Sequence, residues 1–349
     1  MRIGFLTNDI DERATWQAYL YAKHARCLLG HSTAILYPSM PYHAYLRLKH
    51  HRPEKEGWLG RWMPWFRKRR PEPRVHFDQK VADRIRRDGI EVIETGLDAD
   101  LRLFDALHHF KSGENDGFIP MGTRYWVHAI FSASQRHGDR YATVSQWLAR
   151  RDGCPFVPHI VQVADDAQNL RKDLGIPSDA IVLGRFGGPN TFGVRDSSGK
   201  RWVWDVIQDT VTRLKNIYFL FANTETKVRH NRIISLPTIY DTDVSVEVQK
   251  RRFINTCDVM LHARTRGETF GIAVGEFALC GKPVLTYAKS AELAHVEMLN
   301  RPLLYHDPVE LKGWIQRIAS GERFLEDGGA YRNCTPENVM EIFDRHFIQ

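Results

Sequence analysis

Short apolar runs alternate with amphipathic stretches from the first residue onward. RIGFL reads as a strand and TWQAYLYAKHARCLL as a helix, its apolar residues recurring at helical spacing. Gly30-His31 closes that helix, and STAILYP is the next strand. VADRIRR predicts a helix and IEVIE (90–94) a strand, while LFDALHHF, YWVHAIF and YATVS predict further short buried strands or their edges. Then the pattern restarts. AQNLRKDLGIP predicts a helix with a Gly-Ile-Pro stop, AIVLGRFG a strand running into glycines, VWDVIQDTVTRLK an amphipathic helix and IYFLFAN a strand. RIISLP, DVMLHA and PVLTY complete the strands, with helices over VEVQKRRFINTC, GIAVGEFALC, LKGWIQRI and ENVMEIFDRHF.

Strands alternating with helices predict a parallel sheet covered on both faces, and here the alternation predicts two sheets in succession. A length of 349 residues agrees, being too long for one ordinary core. The division is expected near His159–Gln168. That gives a first α/β domain over 1–160, a second over 161–330, and a C-terminal helix over 331–349 packing back on the first.

Composition narrows the setting. Hydrophobic content of 43% and nine Trp supply two cores. No run approaches 18 apolar residues, so no membrane span is expected, and MRIGFLTNDI lacks the features of a signal peptide. Cys27, Cys154, Cys257, Cys280 and Cys334 are scattered with no CxxC pair, which fits a reducing cytoplasm better than a disulfide framework or zinc ribbon. The net charge of +7 points to anionic partners without separating a nucleotide from a lipid surface or nucleic acid.

One segment breaks the alternation. Residues 47–70 carry nine Lys/Arg and two Glu among Trp58, Trp62, Trp65 and Phe66. They read either as a solvated excursion with anchoring aromatics or as a segment that grips a headgroup layer or an acceptor. Nucleic acid suits the composition less well.

The richest chemistry lies between Arg264 and Tyr287. Glu268 falls in a strand-to-helix loop and Glu276 inside the helix that follows. In open α/β sheets, ligands bind beyond the carboxyl ends of the strands. Thr269-Phe270-Gly271 would open the helix, presenting free N–H groups and a positive dipole end to an anion, with Gly271 leaving room. Both acids then suit hydroxyl recognition along a sugar, diphosphate and ribose. The bland alternative is a capped core helix with a surface acid. The joint pattern is the specific part: strand, Glu-x-Phe-Gly-x4-Glu, Gly-x-Pro, strand.

That pattern resembles the Glu-x7-Glu signature of retaining glycosyltransferases of the family-4 type, which have the GT-B architecture of two Rossmann-like domains facing a cleft. The resemblance covers nearly the whole chain. GHSTAILYP is similar to the family's Gly-His strand entry, and RYWVHAIF to the strand ending in its active-site His, which implies His128 at the sugar. YATVSQWL and VPHIV are similar to its strand-Ser-helix and Val-Pro-Asn-Gly segments, with His159 in place of Asn. LRKDLGIPSDAIVLGRFGG is similar to the start of its second domain, implying Arg185 on the diphosphate with Gly187 and Gly188 beside it. Glu268 is implied on the donor sugar, Glu276 on the ribose, and the Thr269, Phe270, Gly271 and Ile272 stretch on phosphate and sugar. FDALHHFKSGENDG is similar to a bacterial and viral surface-glycan subgroup, which implies Lys111 and Asp116 in the cleft.

The sequence departs from the family in two places. Its usual Lys after the Arg is missing; GGPNTFGVRDSSGKRW offers Arg195, Lys200 or Arg201 instead, and Arg264 is a rival cation. TNDIDERATW replaces the Gly-Gly pair after the first strand. The resemblance implies transfer with retention by front-face attack, from a nucleotide-sugar to a glycan or lipid-linked acceptor. It implies no cofactor and no metal, in the cytoplasm or peripherally at the inner face of the membrane. The Asp-x-Asp pairs Asp9-Asp11, Asp98-Asp100 and Asp241-Asp243 read as chance. The competing readings are a glycoside hydrolase using both glutamates, a nucleotide-sugar epimerase, and a non-catalytic glycan- or nucleic-acid-binding protein. His128 as a satisfied core histidine is the competing reading at that position.

Overall fold

A computed structural model describes residues 1–11, 15–39, 75–96, 101–118, 120, 122–188, 192–195, 199–238 and 245–349. The basic, aromatic stretch at 47–70 lies outside them, as do the pairs Asp98-Asp100 and Asp241-Asp243. The chain forms two compact units: Met1–Val144 with Asp152–Val157 and Met340–Gln349, and Ser145–Arg151 with Pro158–Val339.

The first unit holds β1 (Arg2–Leu6), α1 (Trp16–Cys27), β2 (Ser32–Pro38), α2 (Gln79–Arg87), β3 (Glu91–Thr95), β4 (Ala106–Lys111), β5 (Arg124–Ala129) and β6 (Arg140–Thr143). Its strands pair in parallel in the order β3-β2-β1-β4-β5-β6. Central strands such as β5 are buried along nearly their whole length, as expected when both faces of a parallel sheet are covered. Helix α2 starts where the Asp78 carboxylate accepts the N–H groups of Lys80 and Val81, and it buries Val81, Ala82 and Ile85 one turn apart. The C-terminal residues Phe343 and Phe347 are fully buried here; Phe343 packs against Phe5, Tyr21 and Trp126. Truncating such an aromatic costs about 3–5 kcal/mol.

The second unit takes in α3 (Gln146–Asp152) up to Arg151, then β7 (Ile181–Phe186), α4 (Val203–Arg213), β8 (Ile217–Ala222), β9 (Ile233–Leu236), α5 (Val246–Thr256) and β10 (Val259–His262). It continues through β11 (Gly267–Glu268), α6 (Ile272–Leu279), β12 (Val284–Tyr287), β13 (Glu292–Leu293), α7 (Ala294–Met298), β14 (Leu303–Tyr305), α8 (Pro308–Ala319) and the start of α9 (Pro336–Phe343). The parallel order is β14-β12-β10-β7-β8-β9. Counted from its own first strand, this repeats the order of the first sheet, so both are doubly wound. In each, the order reverses between the first and fourth strands: β1 and β4, then β7 and β10.

The predicted helix over 167–177 is a short turn instead. Asn169 ties the Arg171 N–H, the Leu170 N–H goes to Thr256, and Gly175 already turns left-handed at φ 64°. Too few residues remain to propagate a helix. Beyond the predicted elements lie α7, β14 and the two-stranded pair β11–β13, all too short to show a period.

Candidate functional site

In a doubly wound sheet the strand order reverses at the point where loops part and leave a crevice. In the second unit that point lies at the ends of β7 and β10. Arg185 is the penultimate residue of β7 and is only 3% exposed. Its Nε and Nη1 are buried with no hydrogen-bond partner, and its guanidinium lies 5.8 Å from the centre of the Phe192 ring. Burial pulls its pKa down to about 10, with Glu268 pulling the other way and Arg264 adding to the fall. It stays a cation at neutral pH. A buried, unpaired cation is costly and is retained where an anion will meet it.

Glu268 ends β11, whose partner strand β13 is close enough that a Cβ on Gly267 would sit 1.8 Å from the Glu292 carbonyl oxygen. Gly267, at φ 70°, therefore lets β11 dock and fixes Glu268 beyond β10. Glu292 in turn accepts hydrogen bonds from Trp147 and Arg151 of α3, at 2.7 and 2.6 Å. The Glu268 carboxylate accepts from Arg264 Nη1 at 2.7 Å and faces His262 Nε2 at 3.3 Å. Burial pushes its pKa up, but the His262 bond and the charges of Arg264 and Arg185 outweigh that and hold it at about 2. It is an acceptor at any ordinary pH.

Helix α6 opens at Gly271, at φ 86°, where a Cβ would meet His295 Cβ and the Tyr331 hydroxyl at 3.0 Å. No side chain caps the helix, so its first-turn N–H groups are left to a ligand or water. Phe270 anchors the turn: its carbonyl accepts from the Tyr331 hydroxyl at 2.7 Å, and its ring meets His159 edge-on. Thr269 is buried and Ile272 half-buried. Glu276, on the same helix, is 3% exposed and accepts from Lys250 Nζ at 2.7 Å. Its Oε2 has no partner. Burial raises its pKa while Lys250 opposes the rise. One acceptor thus remains on a group otherwise neutralised from α5. Lys250 was legible in outline, because it sits on the apolar stripe of α5 with Val246, Phe253 and Ile254.

The remaining candidates differ in their surroundings. His128 is fully buried in the first unit, stacked on Phe110 at 4.6 Å, with Nε2 bonded to the carbonyls of Val157 (2.7 Å) and Thr143 (3.2 Å). Burial takes its pKa down to about 3. Its surroundings fit the core reading, since no surface is left for a sugar. Lys111 and Asp116 satisfy each other at 2.6 Å. The Gly187 N–H is taken by the Ala222 carbonyl at 3.3 Å, whereas Gly188 faces open space. Lys200 is exposed and pairs with Asp205 at 2.7 Å, Arg195 donates to the Gly199 carbonyl, and Arg201 is half-buried. Of the cations proposed to follow Arg185, Arg264 is the one the structure ties to Glu268.

No family model matches the sequence, and no curated protein matches it. Solved structures do. A glycosyltransferase from Rickettsia africae superimposes with a TM-score of 0.60 at 10% identity, over 100% of this chain and 99% of that one. HepE of Anabaena, in complex with UDP-glucose, gives 0.57 at 15% identity over 99% and 95%. Sucrose-phosphate synthase from Thermosynechococcus elongatus gives 0.52 at 14% over 99% and 95%. The chain has the GT-B fold. Within it, Arg185, Arg264, Glu268 and the opening of α6 share one strand-end neighbourhood, which the GT-B likeness does not by itself equip with chemistry.

Proposed function

We propose that this GT-B chain is a retaining glycosyltransferase that takes its sugar from a nucleoside diphosphate without a metal. The observation that carries the reading is Arg185: a buried guanidinium at a strand-order reversal with two of its nitrogens, Nε and Nη1, unspent. A diphosphate supplies the missing anion. As the glycosidic bond to it breaks, Arg185 and the first-turn amides of α6 stabilise the charge growing on the leaving group. Arg264, neutralised by Glu268 at 2.7 Å, holds that carboxylate in place and leaves Arg185 as the cation available to the diphosphate. Glu268 and the free oxygen of Glu276 accept hydrogen bonds from hydroxyls, the first from the donor sugar and the second from the ribose.

Two features favour recognition over proton shuttling. A Glu268 carboxyl held near pH 2 is a poor general acid, and Glu276, although burial raises it, has one oxygen engaged by Lys250. A hydrolase built on these two acids would need one of them protonated near neutrality. Retention follows by front-face attack, with the acceptor hydroxyl entering on the side the diphosphate leaves. The acceptor class, a glycan or lipid-linked glycan, rests on the sequence resemblance.

The test is a screen of UDP, GDP and ADP and their sugar conjugates for thermal stabilisation, followed by transfer to glycan acceptors. Stabilisation by one nucleotide series is expected, with transfer retaining the anomeric configuration. Glu268→Gln should bind the bare nucleotide normally and transfer about a hundredfold more slowly. A wild-type chain that ignores every nucleotide, or a Glu268→Gln variant with full turnover, would remove the reading.

A further inference from the structure

A line of hydrogen bonds runs inward from Glu268 through three side chains that no ligand reaches. Glu268 Oε1 faces His262 Nε2 at 3.3 Å, His262 Nδ1 lies 2.8 Å from Thr286 Oγ1, and Thr286 Oγ1 lies 2.9 Å from His295 Nε2. His262 ends β10, Thr286 is in β12, and His295 is in α7; all three are 0% exposed.

The hydrogens in this line can be assigned by elimination. An ionised carboxylate only accepts, so His262 Nε2 carries a hydrogen. Burial, together with the positive charge of Arg185 nearby, favours neutral imidazoles at both histidines, whose ring centres are 4.5 Å apart. A neutral His262 with its hydrogen on Nε2 has a lone pair on Nδ1, and the atom facing it is the Thr286 hydroxyl, which must donate. Having spent its one hydrogen, Thr286 Oγ1 accepts from His295 Nε2. That leaves the lone pair on His295 Nδ1, which has no hydrogen-bond partner at bonding geometry; the Glu268 backbone carbonyl near this ring pulls the other way, toward a protonated imidazole, and is outweighed by burial. Run in reverse, the line would set the His262 Nε2 lone pair against a carboxylate.

We propose that His262, Thr286 and His295 are positioning residues: a one-way relay that fixes the plane of the Glu268 carboxylate, with Thr286 setting its direction, so that Glu268 accepts from a donor-sugar hydroxyl. The idea rests on the glycosyltransferase reading above. With Arg264 holding Oε2 and the relay holding Oε1, both oxygens are pinned and their remaining lone pairs point along fixed directions. Selectivity between a nucleotide and its sugar conjugate then depends on a threonine that touches neither.

Two substitutions separate this from packing. Thr286→Val keeps the volume and removes the hydroxyl; Thr286→Ser keeps the hydroxyl and removes a methyl. A packing role makes the serine variant the worse of the two, and the relay makes it the better. Isothermal titration with UDP, GDP, ADP and their glucose conjugates should show Thr286→Val losing about ten- to a hundredfold in affinity for the conjugate. Its affinity for the bare nucleotide should be unchanged, and Thr286→Ser should resemble wild type. Long-range proton–nitrogen spectra of the imidazoles should report Nε2–H tautomers at both histidines. Conjugate affinity unaltered in Thr286→Val, the serine variant falling below it, or His262 carrying its hydrogen on Nδ1 would each overturn the relay. A wild-type chain that binds none of the six ligands would overturn the glycosyltransferase reading and the relay's sugar role with it, while the tautomers would still show whether the line of bonds exists.

Discussion

At the end of β4 in the first sheet, Lys111 is 6% exposed and Asp116 holds it at 2.6 Å. At the end of β7 in the second, Arg185 is also buried and has no such partner. Both strands flank the reversal of the same strand order. The shared topology therefore supplies a place for a ligand twice, and the side chains complete it in opposite ways. One reversal point is electrostatically closed and the other is left waiting for an anion. The histidines repeat the contrast: His128, at the end of β5, is bonded to backbone carbonyls, whereas His262, at the end of β10, faces the Glu268 carboxylate.

The largest expected effect breaks the open end. Arg185→Ala should reduce transfer by about 10²–10³ while leaving the thermal midpoint of the empty protein unchanged or raised, because a buried unpaired charge has been removed. A lower midpoint with normal transfer would make Arg185 a structural residue and erase the difference between the ends. Next comes the neighbouring ion pair. Lys250→Met leaves Glu276 buried with both oxygens unpaired, at a cost of about 3–5 kcal/mol in chemical denaturation. Adding Glu276→Leu should restore most of that stability. If it does not, Lys250 is held by something other than Glu276.

Gly271→Ala should cost about 1–2 kcal/mol for the left-handed backbone alone. The contact of the new methyl with His295 and Tyr331 adds to it, and affinity for a nucleotide should fall as the first turn of α6 shifts. A variant with wild-type stability would show that the turn tolerates a side chain. A smaller effect is set by pH. The Glu268 carboxyl ordinarily titrates at 4.5 and is held near 2 in the fold. Its contribution to stability is therefore complete above pH 4.5 and disappears as pH falls toward 2. Denaturation midpoints of wild type and Glu268→Gln should converge across that window, and a constant gap would mean the carboxylate is not favoured by its neighbours.

How much of this the sequence carried depends on the length scale of each feature. Strands of four or more residues and helices of two turns or more were legible because their periods repeat, and STAILYP matched Ser32–Pro38 residue for residue. Glu268 was singled out from its place in a strand-to-helix loop, and Arg185 through the resemblance alone. The β11–β13 pair was not, since two residues show no period and the pairing depends on the close approach at Gly267. His262, Thr286 and His295 were invisible for another reason: they lie 24 and 9 residues apart in sequence and meet only through the packing of β10, β12 and α7. His128 shows the converse, a motif position whose chemistry is decided by the rings enclosing it.

The smallest expected effect is the sharpest check on the comparison. Lys111→Met removes the cation at the closed end, and Asp116, a quarter exposed and also accepting from the Phe118 N–H, can be hydrated in its place. Stability should fall by no more than about 1 kcal/mol, in the range of pairs with one solvent-accessible partner. Nucleotide affinity should stay within about twofold of wild type, because a charge neutralised at 2.6 Å projects little field beyond its partner. Asp116→Asn should behave alike, and the double variant should cost less than the sum of the two, because each single change already removes the same ion pair. A tenfold loss of transfer in Lys111→Met would mean that the first reversal point also holds a substrate group, and that its ion pair is a resting state opened during the reaction.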